Sequence, residues 1–140
     1  MLTSQKRERL KEIAKTYNLK LVLIFGSAAR ERVHPGSDID VAVLAADYES
    51  FSLTMQSDLH LEIQRLFEDR EVDLVFLNRA DPLFMKKILE NYILLYGSKQ
   101  LLAKLRIYAY KRYVDHKKYF DLERDYAERF IRKKLKGKSS

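Results

Sequence analysis

Three aspartates and a glycine-serine pair are the residues of this 140-residue chain whose types and spacing could do chemistry. Asp38 and Asp40 stand two apart in "SDIDVAV", Asp73 interrupts the apolar run "VDLVFL", and Gly26-Ser27 ends the run "LKLVLIF". Side chains two apart on an extended strand share a face, so Asp38 and Asp40 point one way and Ile39, Val41 and Val43 the other. Two neighbouring carboxylates repel, and beside a core each also loses hydration. A divalent cation relieves both costs, and an all-oxygen site without His or Cys suits Mg2+ or Mn2+ better than Zn2+. The same phase test sets Asp73, Val75 and Leu77 on one face and Val72, Leu74 and Phe76 on the other. If the two strands pair, Asp73 meets Asp38 and Asp40. Such a three-carboxylate cluster can hold two metals roughly 3.5 to 4 Å apart for a phosphoryl-type displacement.

Gly26 and Ser27 supply the other half of the expected site. Gly26 has no Cβ, so backbone there can approach a phosphate closely, and Ser27 can cap a short helix whose free N–H groups attract an anion. Arg30, one turn on, adds a charge-assisted contact. Each fragment alone has a plainer reading. A Gly-Ser is a common turn, an Asp-x-Asp is often a solvated strand end, and Asp73 could merely pair with Arg70 or Arg79 at the surface. His34, His60 and His116 read as loop, helix-face and basic-helix residues without metal-ligand company. The weight lies in the combination, because all three acids and the anion-binding turn fall at mutually consistent strand positions.

The elements that must position these residues follow from periodicity. Leu10, Ile13, Ala14 and Tyr17 predict a helix over 4–17, capped by Thr3 or Ser4 and stopped at Asn18. Residues 19–25 read as a central strand, apolar on both faces from Leu21. "SAARER" makes a short helix before "VHPGS" breaks the chain, and "DIDVAVLA" is the second strand. Met55, Leu59, Ile63, Leu66 and Phe67 predict a crossover helix over 52–68. A third strand follows at 72–77, then a helix opened by Asp81-Pro82 and a fourth strand, "YILLYG", closed by Gly97. Residues 99–135 lack Pro and Gly and predict two helices or one bent helix, with a break near Asp115 to Asp121. The last five residues, 136–140, are expected to be disordered.

Composition bounds the rest. An apolar content of 46% supports one domain with a real core. The absence of cysteine excludes disulfides, thiol nucleophiles and thiolate zinc sites. No apolar stretch approaches a membrane span and the amino terminus lacks a signal-peptide core, so a cytoplasmic protein with no membrane partner is expected. Residues 1–97 carry 13 Lys/Arg against 15 Asp/Glu, whereas residues 98–140 carry 14 against 5. The basic character belongs to the carboxy-terminal segment and asks there for an acidic partner or for water. Direct nucleic-acid binding ranks last, since the aromatic residues there are spaced for helix packing rather than base stacking.

The string "GSAAR…SDID", with ten residues between Gly26-Ser27 and Asp38-x-Asp40, resembles the minimal nucleotidyltransferases of the DNA polymerase β-like superfamily. A downstream strand acid such as Asp73 is also a feature of that family. The resemblance spans residues 1–97 and implies an α+β fold, a small mixed sheet flanked by helices, as a catalytic core. Residues 98–135 would form a basic helical extension packing on the core or on a partner. It further implies that Asp38, Asp40 and Asp73 bind Mg2+ or Mn2+ and act in catalysis, Asp73 as general base. Gly26, Ser27, Arg30 and Ser37 would hold the nucleotide, with ATP as substrate. Glu31 departs from the family, which commonly has Gly after "AR".

The carboxy-terminal segment resembles the extension of family members that serve as antitoxins to HEPN ribonucleases, silencing the toxin by transferring AMP to one of its tyrosines. The toxin's own signature, Arg then four to six residues then His, is absent, since only three residues separate Arg112 from His116. The reading is therefore an adenylyltransferase antitoxin in a hetero-oligomer with a HEPN toxin. The alternatives are an antitoxin that neutralises its partner by contact alone and a nucleotidyltransferase acting on a small molecule.

Overall fold

The computed structural model describes residues 2–26, 29 and 38–138, the side chains of 136–138 excepted. Its elements run α1 (Ser4–Thr16), β1 (Leu19–Phe25), β2 (Ile39–Ala45), α2 (Leu53–Gln64), β3 (Val72–Phe76), α3 (Pro82–Glu90), β4 (Tyr92–Gly97) and α4 (Lys99–Lys138). The strands form one mixed sheet in the order β3-β2-β1-β4. β1 pairs antiparallel with β2 and β4, while β2 and β3, joined through α2, are parallel. β1, apolar on both faces, is thus central, as its composition predicts.

Local chemistry sets the helix ends. Thr3 Oγ1 accepts from Lys6 N at 3.2 Å, and Asn18 takes the left-handed stop at φ 52°. Ser52 caps α2 through Met55 N at 3.1 Å, and Asp81 caps α3 through Phe84 N at 2.8 Å with Pro82 in the first turn. The crossover helix is shorter than its apolar spacing predicts: it ends at Gln64, and Leu66 and Phe67 are buried from the turn that follows. The third strand likewise yields to a 3-10 turn at Leu77.

Both faces of the sheet are covered. Val22, Ile24, Ile39, Val41, Val43 and Val72 pack with Leu10, Ile13, Leu59 and Ile63 of α1 and α2. On the opposite face Leu21, Leu23 and Ala42 pack with Met85, Ile88 and Leu89 of α3 and Leu102 and Ala109 of α4.

The carboxy-terminal segment is one helix of 40 residues, with no break between Asp115 and Asp121. At 1.5 Å per residue it is about 60 Å long. Its apolar stripe stops where packing stops, but the backbone continues because no Pro or Gly occurs from Lys99 to Lys136 and short-range pairs support it. These include Arg124–Asp121 at 3.0 Å, the His116 and Phe120 rings at 4.5 Å, and Lys134 over Phe130 at 5.0 Å. The helix runs through Lys138, three residues into the stretch expected to be disordered. The short helix expected at 27–32 falls, apart from Ala29, outside the described residues.

Candidate active site

The carboxylates gather at one end of the sheet, on the face that carries α3 and α4. Asp40 lies on β2 in phase with Ala42, which belongs to the α3/α4 core, while Ile39, Val41 and Val43 turn to the α1/α2 core. Asp73 is the direct register partner of Asp40 across the parallel β2–β3 pair, so their side chains stand on the same face. Asp38 is exposed one residue before β2. The pairing on which the sequence argument depended is therefore present.

Gly26 closes the site from the other side. Its φ is 74°, and a Cβ added there would lie 2.7 Å from Oδ2 of Asp40. The register of β1 against β2 explains this closeness, because Phe25 pairs with Asp40 and the next residue must pass beside its carboxylate. Glycine is thus required by conformation and by space together.

The Asp40 carboxyl is held above the usual carboxylate range, first by partial loss of hydration, then by the negative charges of Asp73 and Asp38. Among the described residues, no Lys or Arg forms an ion pair with any of the three acids. The plainer expectation that Asp73 pairs with Arg70 or Arg79 is not what the fold shows; Arg79 instead approaches the Tyr48 hydroxyl at 3.4 Å. Nor are any three His, Asp or Glu side chains among the described residues drawn tightly enough to enclose an ion as they stand. The result is an open, all-oxygen anionic group lacking a countercharge. Its donor set, and the raised Asp40 carboxyl, fit a hard divalent cation with oxygen ligands. Ser27, Arg30, Glu31 and Ser37 lie outside the described residues.

Two polar locks that sequence reasoning passed over hold these strands. His60 Nε2 donates to Val72 O at 2.7 Å, and Gln64 Oε1 accepts from Val72 N at 2.8 Å. Because a carbonyl only accepts, His60 carries its proton on Nε2. The outer edge of β3 is thereby closed beside Asp73 by side chains of α2 rather than by another strand. At the other end, Asn78 bonds both Ala45 N and Ala45 O at 2.9 Å, as a strand residue would. The available signal was the i, i+4 spacing of His60 and Gln64 on a helix face.

With this geometry in view, likeness to known proteins becomes specific. Residues 8–101 match the family model described as polymerase beta, nucleotidyltransferase. The chain belongs to the polymerase β nucleotidyltransferase family. Within it, the chain is similar to the protein adenylyltransferase MntA of Shewanella oneidensis, 35% identical over 85 residues that make up 59% of this chain and 57% of that relative. The chain thus matches little more than half of that relative's length. Among solved structures, it resembles a crystal structure of a toxin-antitoxin with AMP-PNP (TM-score 0.66, 23% identity, 89% of this chain and 97% of that one). It also resembles a structure of tri-AMPylated Shewanella oneidensis HEPN toxin in complex with MNT antitoxin (TM-score 0.60, 21% identity, 91% and 96%). These two likenesses concern the nucleotidyltransferase fold, and that fold includes the mixed sheet on which the carboxylates sit.

Proposed function

We propose that this chain is a cytoplasmic, Mg2+-dependent adenylyltransferase that moves AMP from ATP to a tyrosine hydroxyl of a HEPN ribonuclease toxin and thereby acts as its antitoxin. The observation that carries the catalytic part is the in-register apposition of Asp40 and Asp73 beside a glycine pressed against the Asp40 carboxylate. Similarity to MntA supports the choice of AMP and of a protein acceptor.

Asp38, Asp40 and Asp73 would hold the metal, with Mn2+ able to substitute for Mg2+. Bound there, the ion would offset phosphate charge and favour departure of pyrophosphate. Gly26 brings bare backbone to the triphosphate, with Ser27, Arg30 and Ser37 as its further holders. Asp73 takes the phenolic proton while the tyrosine oxygen bonds to the α-phosphorus; the bond from that phosphorus to its bridging oxygen breaks, and pyrophosphate leaves. The test is label transfer from α-labelled ATP with Mg2+ to a HEPN-family protein supplied as the acceptor. Transfer by the wild type and none by Asp38→Asn is the expected result; equal transfer by both would sink the proposal.

A second reading, neutralisation by contact, is favoured by one observation. Beyond Val114 the described side chains of α4 are exposed, apart from a half-buried Asp121, and they include Tyr119, Phe120, Tyr126, Phe130 and Ile131. Such a surface suits a helical protein partner.

A further inference from the structure

Beside Gly26, where β1 ends and β4 begins, lies a cleft of about 410 Å3 whose walls include Phe25, Phe84, Lys87, Ile88 and Asn91. This volume falls within the range of small-ligand clefts, about 300–1,000 Å3. Its floor is aromatic: the rings of Phe25 and Phe84 meet edge to face at 6.0 Å and 84°. Phe84 is 38% exposed on a helix that buries Met85, Ile88 and Leu89. Met85, Ile88 and Leu89 thus enter the core while this ring lines the cleft.

Phe84 and Ile88 stand one turn apart on α3, and Asn91, the extended residue that ends that helix, completes this wall with a polar side chain. The Asn91 amide has no hydrogen-bond partner among the described residues, and Asn91 is half-buried at the helix end. An amide presents a donor and an acceptor side by side. That pattern matches the N6/N7 edge of adenine and not the O6/N7 edge of guanine, whose two groups both accept.

We propose that this cleft is the nucleobase slot of the enzyme, with Phe25 and Phe84 as the stacking surface and Asn91 as the residue that selects adenine over guanine. The slot rests on the nucleotidyltransferase reading and extends it, since neither the three acids nor the phosphate turn distinguishes one base from another. Continuity with Gly26 supplies the geometric link: a nucleotide whose phosphates lie against that turn reaches the cleft without leaving the sheet end.

Calorimetric titration of the full chain with ATP, GTP and inorganic tripolyphosphate, each with Mg2+, separates the slot from the phosphate site. Phe84→Ala should weaken ATP binding about tenfold, in keeping with the loss of one base–aromatic stack, and leave tripolyphosphate binding unchanged. Phe84→Tyr, which keeps the ring, should restore ATP affinity. Asn91→Leu should bring ATP and GTP to within about twofold of each other, where the wild type prefers ATP by about tenfold or more, the discrimination expected of one amide–base pair. If wild type and all variants bind ATP alike, or the wild type binds GTP as well as ATP, the slot is refuted while the nucleotidyltransferase reading stands. Failure of the wild type to bind either ATP or tripolyphosphate would instead remove the reading on which the slot rests.

Discussion

At Asp40 burial, like charge and close backbone approach meet in one carboxyl, and each has a measurable consequence. Its pKa is raised in the fold, so between the unfolded carboxylate value near about 4 and the raised folded value the native state binds more protons than the unfolded chain. Stability must therefore fall as pH rises through that window, the reverse of a salt-bridged acid. Thermal melts of metal-free protein should show this loss, and Asp40→Asn should flatten it and raise the melting temperature at neutral pH. Mg2+ or Mn2+ should raise the wild-type melting temperature and leave Asp40→Asn nearly unmoved. The same substitution should cut AMP transfer by at least about 100-fold, since it removes charge worth several kcal/mol in the transition state. Gly26→Ala tests the other wall. With φ at 74° and Oδ2 of Asp40 2.7 Å from the new methyl carbon, it should lower stability by about 1 kcal/mol or more and displace the carboxylate, read as lost transfer.

At the scale of elements, the sheet is legible because its period is simple. Alternation in "DIDVAVLA" and "VDLVFL" assigns each residue to a face, and the two cores confirm those assignments residue by residue. Pairing could not be read the same way: phase says which face Asp73 shares, not which strand lies beside it. That choice is made by α2, whose length returns the chain parallel to β2, and by His60 and Gln64, which close the open edge. Periodicity marks His60 only as a helix-face residue, because its partner is a backbone carbonyl twelve residues away. His60→Leu strands a partly buried carbonyl and should lower stability by about 1–2 kcal/mol in denaturant titration. His60→Gln, which keeps a donor, should recover part of that loss.

At the scale of the molecule, a core built on the sheet carries a helix that outreaches it. No helix among the described residues is long and apolar enough to cross a membrane, and beyond Val114 α4 leaves Tyr119, Phe120, Tyr126, Phe130 and Ile131 exposed. Truncation after Val114 removes almost no buried surface and should shift the melting temperature by no more than a few degrees. It should abolish capture of the proposed HEPN partner if α4 is the docking element; capture that survives truncation would place the contact on the core. The sequence by itself determined the strands, their faces and the strand positions of Asp40 and Asp73, since these follow from local stereochemistry and a two-residue repeat. It left the carboxy-terminal segment ambiguous, because helical spacing records which residues could pack and not whether anything is there to pack against. Only the tertiary structure decided that β2 and β3 are neighbours, that Gly26 lies against Asp40, and that α4 runs unbroken past the core. Those are relations between residues far apart in the chain, set by how whole elements bury their apolar faces against one another.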